Sequence, residues 1–316
     1  MRLLITRPMT TAVEERARAE FDVVIRPETS VLSHEEMICA LREYDLVMPT
    51  LGDGFDAGVF SEVAEPRCKL LANFGVGINH IDVGAAKAAG VVVSNTPGAV
   101  TDATADIALT LILMSARRAG EGERLVRSGD WPGWHPTQML GQHVTGKKLG
   151  VIGMGRIGTA IARRCHFGFG MQVFYNARSE KSPGFDATRL LDLQQLAAEV
   201  DFLVVAVPGG AETRHLVNAD VLAAMQPHAH LINIARGEVV QQEALIAALQ
   251  GQRIAGAGLD VYEFEPEVPQ DFRELSNVTL LPHLGTATQE VRSAMGHMAL
   301  DNIAAFVAGQ PLPNQV

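Results

Sequence analysis

Residues 148–176 read KLGVIGMGRIGTAIARRCHFGFGMQVFYN, and this stretch limits the possible folds more than any other part of the chain. A short apolar run, 149–152, enters Gly153-Met154-Gly155-Arg156-Ile157-Gly158. The pattern then predicts a helix to about residue 167, a break at Gly168 and Gly170, and a second strand over 171–175. Strand, glycine turn, helix and strand make one βαβ unit. Gly153 permits the turn, Gly155 lets backbone amides approach a pyrophosphate, and Gly158 lets helix and strand pack closely, while the helix N-terminus supplies partial positive charge. Dinucleotide binding is therefore the expectation.

The same alternation runs through the rest of the chain. Ahead of this unit, strands are expected at 3–6, 23–25, 45–48, 70–73 and 91–94, with helices over 11–20, 34–43, 57–64 and 83–89 between them. Such alternation implies an open parallel sheet with helices on both faces. No GxGxxG occurs there, so it reads as a second α/β domain without a dinucleotide fingerprint. Asn95-Thr96-Pro97-Gly98 punctuates the chain, and a helix is expected over 101–118. Beyond the central unit, strands at 202–206, 231–234, 254–259 and 278–281, with helices near 218–225 and 241–249, bring the second sheet to about six strands.

A last helix, 288–308, comes after that sheet is complete and is expected to cross back to the first domain. The expected fold is α/β with two doubly wound parallel-sheet domains. Residues 1–98 plus 286–316 would form a flavodoxin-like substrate domain and residues 99–285 a Rossmann dinucleotide-binding domain. A cleft between the two would hold cofactor and substrate.

Composition narrows the partners. A hydrophobic share of 47% with 20% charged residues describes a globular protein, and a net charge of -10 argues against nucleic-acid binding. Cys39, Cys68 and Cys165 lie far apart with no CxxC, which predicts buried thiols in a reducing compartment and no metal site. The N-terminal MRLLITRPMT is too short in its apolar run for a signal peptide. The most apolar stretch, 105–116, contains Asp106 and falls short of the ~20 residues of a membrane span. A cytoplasmic enzyme with no membrane partner is expected.

Three side chains carry the candidate chemistry. Arg236 stands in LINIARGEVV just beyond an apolar strand, where open α/β sheets bind ligands and where a guanidinium can hold a carboxylate in a bidentate pair. Glu265, in YEFEPEVP, alone reads as a loop carboxylate, and His283, in LLPHLGTAT, as a loop or core histidine. Each of the three follows an expected strand of the same sheet, so all could face one site.

GMGRIG, VVAVPGGAETRHLVN, LINIARGEVV, GLDVYEFEP and LLPHLGTAT occur in this order between residues 153 and 288. Together they resemble the D-isomer-specific 2-hydroxyacid dehydrogenases. FGVGINHID and Trp131-Pro132-Gly133-Trp134-His135-Pro136 are most similar to the glyoxylate and hydroxypyruvate reductases of that family. The resemblance implies a catalytic set of Arg236, Glu265 and His283: the histidine as acid and base, the glutamate holding its ring, the arginine binding and polarising a 2-oxo acid. It implies that Val76 and Gly77, in Phe74-Gly75-Val76-Gly77, offer backbone amides to the substrate carboxylate. It further implies a homodimer in which Trp134 reaches toward the partner's active site. The cofactor-binding set implied is Thr104, Gly153, Met154, Gly155, Arg156, Ile157, Gly158, Asn176, Arg178, Ser179, Val207, Pro208, Thr213, Ile234, Asp260 and His283.

Sequence also bears on which nicotinamide cofactor is used. NAD-preferring sites place an acidic residue at the end of the second strand. Here that position is Asn176, followed by Arg178, Ser179, Glu180 and Lys181. No carboxylate repels a 2′-phosphate there and the basic groups can donate to one, so NADP(H) is favoured over NAD(H). Two alternatives share the scaffold: a phosphite or formate dehydrogenase, and a cofactor-sensing protein resembling the C-terminal-binding corepressors. Formate dehydrogenases tend to pair the histidine with glutamine, whereas Glu265 is acidic, and the chain has no long polar tail for recruiting partners.

Overall fold

A computed structural model describes residues 1–316. The chain begins β1 (Arg2–Ile5), α1 (Thr11–Glu20), β2 (Asp22–Ile25), α2 (His34–Glu43), β3 (Leu46–Met48), α3 (Ala57–Ser61), β4 (Leu70–Ala72), α4 (Val83–Ala88), β5 (Val92–Ser94). Two helices follow, α5 (Thr101–Ala116) and α6 (Ala119–Ser128). Next come β6 (Lys148–Ile152), α7 (Arg156–Phe169), β7 (Gln172–Asn176), β8 (Ala187–Arg189), α8 (Leu193–Glu199), β9 (Phe202–Val205), α9 (Ala219–Ala224). The chain ends with β10 (His230–Asn233), α10 (Gln242–Gln250), β11 (Gly256–Leu259), α11 (Gln270–Glu274), β12 (Val278–Leu280) and α12 (Gln289–Val307).

These elements form two compact units. Met1–Val100 joins Thr286–Val316 in one, and Thr101–Gly285 makes the other. In the first, five parallel strands run in the order β2-β1-β3-β4-β5. Their alternation with helices follows from local chemistry. Ser33 and Glu36 close a capping box on α2, and the side chain of Asp82 caps α4 by accepting from the Ala85 amide. The core gathers Leu41, Val47, Phe55 and Leu71. α12 lies against α1 so closely that a Cβ at Gly296 would come 2.4 Å from a Val13 methyl.

The second unit is a seven-stranded parallel sheet, β12-β11-β10-β9-β6-β7-β8. Apolar cores cover both faces, one including Leu203, Leu231 and Ala257, the other Leu149, Val204 and Ile232, as expected for strands buried on both sides. The order reverses at β6, which has β7 on one side and β9 on the other. That reversal places a crevice at the carboxyl end of β6, where Gly153 begins its turn.

Three details correct the sequence reading. The sheet has seven strands rather than about six, because β8, Ala-Thr-Arg, is short and polar and carries no apolar run. The helix expected over 101–118 ends at Ala116; Arg118 turns left-handed, with φ 51°, and α6 begins beyond it. Cys39 is exposed on the outer face of α2, whose inner face buries Met37, Ile38, Ala40 and Leu41. Cys68 and Cys165 are buried, and burial pushes both thiols up to about 12. No helix is long and apolar enough to cross a membrane.

Candidate active site

The three candidate catalytic residues follow β10, β11 and β12, neighbours in one sheet, so strand order alone brings their loops to one edge. Close packing does the rest. Gly237, beside Arg236, lies against the chain leaving β11, where an added Cβ would sit 1.8 Å from the Tyr262 carbonyl carbon. Only glycine lets these two turns touch. Tyr262 links onward: its amide donates to Glu265 Oε1 at 3.1 Å, and its hydroxyl donates to the Leu281 carbonyl at 2.9 Å, just past β12.

His283 Nδ1 and Glu265 Oε2 are 2.9 Å apart, and each side chain keeps about a third of its surface or less exposed, 29% and 32%. Burial pushes the Glu265 carboxyl up. The hydrogen bond and charge of His283, the Tyr262 amide and the charge of Arg236 outweigh it, and hold that carboxyl below its ordinary value. Arg236 is drawn down by burial, against the opposing charges of Glu265 and Glu238, and one of its amino groups donates to the Ala235 carbonyl at 2.7 Å.

The histidine's backbone is strained and firmly held. Its φ of 56° is left-handed, a region costly for a side-chain-bearing residue. The buried carboxylate of Asp260 fixes the turn, accepting from the amides of Leu284 at 2.7 Å and Gly285 at 2.8 Å, while the His283 amide donates to the Asp260 carbonyl. Burial pushes the Asp260 carboxyl up, and those amides oppose the shift. Thr104 Oγ1 donates to the Gly285 carbonyl from α5.

The glycine turn fits a dinucleotide. Gly153 has φ 98°, and a Cβ there would meet the Ala206 carbonyl oxygen at 2.6 Å; one at Gly158 would meet the Gly153 oxygen at 2.0 Å. At Gly155, the N-cap of α7, a Cβ would meet nothing within 4 Å, which leaves that side of the turn open for phosphate oxygens to approach backbone and helix N-terminus. Met154 and Ile234 are buried, whereas Arg156 is exposed. Val207 packs at Gly153, and Thr213 Oγ1 donates to the Pro208 carbonyl at 2.7 Å, bracing the loop after β9.

Residues 109–285 match the family described as D-isomer specific 2-hydroxyacid dehydrogenase, NAD binding domain. The chain is 41% identical over 322 residues to a glyoxylate reductase of Thermococcus onnurineus, covering 100% of this chain and 95% of that protein. The chain belongs to the D-isomer-specific 2-hydroxyacid dehydrogenases.

Solved structures place this dehydrogenase in the same fold. A Thermus thermophilus protein superposes with a TM-score of 0.92 at 37% identity, covering 100% of both chains. An NADPH-dependent glyoxylate/hydroxypyruvate reductase of Sinorhizobium meliloti, in complex with NADP and malonate, superposes with a TM-score of 0.87 at 35% identity, covering 100% of this chain and 96% of that one. The dehydrogenase is an oxidoreductase that uses a nicotinamide dinucleotide.

Beyond β7, Asn176 turns its amide toward the end of β8, donating to the carbonyls of Leu190 and Leu191, both at 2.9 Å. Arg178 is 96% exposed, with a loose 3.8 Å pairing to Glu212, and Ser179 is exposed beside it. In the first unit, Phe74-Gly75-Val76-Gly77 follows β4, and the Asn73 amide donates to the carbonyls of Gly75 and Gly77, both at 3.0 Å. Those bonds draw carbonyls inward. Trp134 is 80% exposed, and α6, close by in sequence, buries none of its residues.

Sequence reasoning missed Glu238, whose carboxylate accepts from the Gly210 amide at 2.9 Å, and Arg189, whose guanidinium binds the carbonyls of Ala177 and Arg178. Glu238 stands two residues past Arg236 in the ARGE segment, which was the available signal. Arg189 had none.

Proposed function

We propose that the protein reduces a small 2-oxo acid, glyoxylate or hydroxypyruvate, to the D-2-hydroxy acid with NADPH. The observation that carries this reading is the Glu265–His283 pair at 2.9 Å beside Arg236, on adjacent strand ends of the sheet whose glycine turn fits a dinucleotide. Relatives named for glyoxylate reduction over the full chain length support the substrate class.

When bound, the nicotinamide supplies the hydride that the substrate's carbonyl carbon accepts. The protein's own residues do the rest. Glu265 holds Nδ1 of His283, which leaves Nε2 to donate a proton to the carbonyl oxygen and to take it back from the hydroxyl in the reverse direction. Arg236 binds the acid and polarises its carbonyl, and its burial strengthens both interactions. The amides of Val76 and Gly77 receive the substrate carboxylate. Gly153, Gly155 and Gly158 admit the pyrophosphate. Asn176 presents no carboxylate to a 2′-phosphate, and Arg178 and Ser179 donate to it. The chain acts as a homodimer through the exposed face around α6, with Trp134 contributing to substrate selection.

The test is a panel of 2-oxo acids assayed with NADPH and with NADH. Fast NADPH oxidation with glyoxylate or hydroxypyruvate is expected. Absence of turnover with every 2-oxo acid would overturn the assignment and favour a cofactor-sensing role.

A further inference from the structure

We propose that Arg189 is the positioning residue that prepares the loop after β7 for a 2′-phosphate, an inference that rests on the NADP(H) reading above. Arg189 is half-buried at the end of β8, paired in register with Tyr175 of β7. Its guanidinium donates to the Ala177 carbonyl through Nε at 3.2 Å and Nη2 at 2.7 Å, and to the Arg178 carbonyl through Nη2 at 2.9 Å. One cation thus gathers two successive carbonyls.

The consequence follows from peptide geometry. In a planar trans peptide, C=O and the next N–H point in opposite directions. With the carbonyls of Ala177 and Arg178 turned toward Arg189, the amides of Arg178 and Ser179 are turned away from it. Neither amide donates to a backbone acceptor elsewhere in the chain. Two neighbouring outward amides are thereby left to donate to an anion, and the guanidinium offsets the partial negative charge of the carbonyls behind them. The exposed Arg178 and Ser179 side chains lie on the same residues, so backbone and side-chain donors belong to one short segment.

Asn176 completes the arrangement from the opposite strand. Its amide donates to Leu190 and Leu191 just as Arg189 donates to Ala177 and Arg178, so the ends of β7 and β8 clasp each other reciprocally. Tyr175 pins the far end of the loop, its hydroxyl taking the Lys181 amide at 3.0 Å. A carboxylate at 176 would face two carbonyl oxygens with nothing to donate. The clasp therefore excludes the acidic residue that an NAD-preferring site places there, and orders the donors that an NADP site needs.

The test compares wild type with Arg189→Gln, Arg189→Lys and Arg178→Ala by KM for NADPH and NADH, kcat and thermal midpoint. In Arg189→Gln the ratio of KM for NADPH to KM for NADH should rise about tenfold, at a kcat within about twofold of wild type. Arg189→Lys, which keeps the charge but not the fork, should recover part of that ratio. Equal rises in both KM values, or an unchanged ratio in Arg189→Gln, would overturn the positioning role. A wild type that prefers NADH, with Arg178→Ala indifferent to cofactor, would overturn the NADP(H) reading and this inference together. A wild type that prefers NADPH with an unchanged Arg189→Gln ratio would sink this inference alone.

Discussion

Asp260 holds the turn that carries His283: its two carboxylate oxygens accept from the amides of Leu284 and Gly285, and its carbonyl accepts from the His283 amide. A left-handed histidine is costly, and a buried carboxylate anchored on both sides of the peptide makes that conformation the stable one. Asp260 thus fixes the position of the His283 turn.

Asp260→Asn leaves one acceptor and sets a donor amide against a backbone N–H, at a cost of about 1–3 kcal/mol. The expected outcome is a lower thermal midpoint together with a fall in kcat, since the imidazole loses its fixed direction. Thermal unfolding and steady-state kinetics on the same preparation check it; unchanged kcat at reduced stability would separate the anchor from catalysis.

Glu265 sets a pH dependence whose sign is fixed. Its carboxyl is held below the ordinary value of 4.5, the partners outweighing burial. A depressed carboxyl contributes stability that is present above its unfolded value and lost as pH falls through the folded one. The stability difference between wild type and Glu265→Gln should therefore shrink as the pH falls below about 4.5. Denaturant unfolding in the acid range checks this; a difference that grows as the pH falls below about 4.5 would contradict the pairing. At neutral pH, Glu265→Gln should also lower kcat, on the order of a hundredfold, through loss of the ring's fixed orientation.

Gly237→Ala drives a methyl into the Tyr262 carbonyl, so the turns after β10 and β11 must separate. Overpacking of this kind costs about 1–3 kcal/mol. Arg236 moves with its neighbour, and KM for the 2-oxo acid should rise while KM for the dinucleotide holds. Steady-state titration of each substrate decides it.

Trp134 gives a prediction at the level of assembly. With the side chain 80% exposed on the single chain, Trp134→Ala should leave the fold of each subunit intact. Sedimentation of the wild type at twice the chain mass, with altered discrimination between glyoxylate and larger 2-oxo acids in the variant, is the expected pair of results.

The features legible in sequence were those encoded locally. The apolar runs of β6, β10, β11 and β12 and the spacing of Gly153, Gly155 and Gly158 gave the sheet and its glycine turn, while Arg236, Glu265 and His283 stood out as a set through their strand-end positions together with the family resemblance. What escaped depends on contacts between distant residues. β8 has too few apolar side chains to show a period, so nothing in the sequence marks Arg189 as a strand residue. The need for glycine at 237 comes from a backbone segment twenty-five residues on, and Asp260's hold on Leu284 and Gly285 is likewise long-range. Cys39 falls within an apolar stretch of α2, and only the helix phase turns it outward.

The most direct measurement is NADPH oxidation with saturating glyoxylate by wild type and His283→Gln, alongside NADPH affinity by fluorescence titration. A fall in kcat on the order of 10³-fold with little change in NADPH affinity is expected of a lost proton donor. A variant that turns over at a rate near that of wild type would contradict the role given to His283.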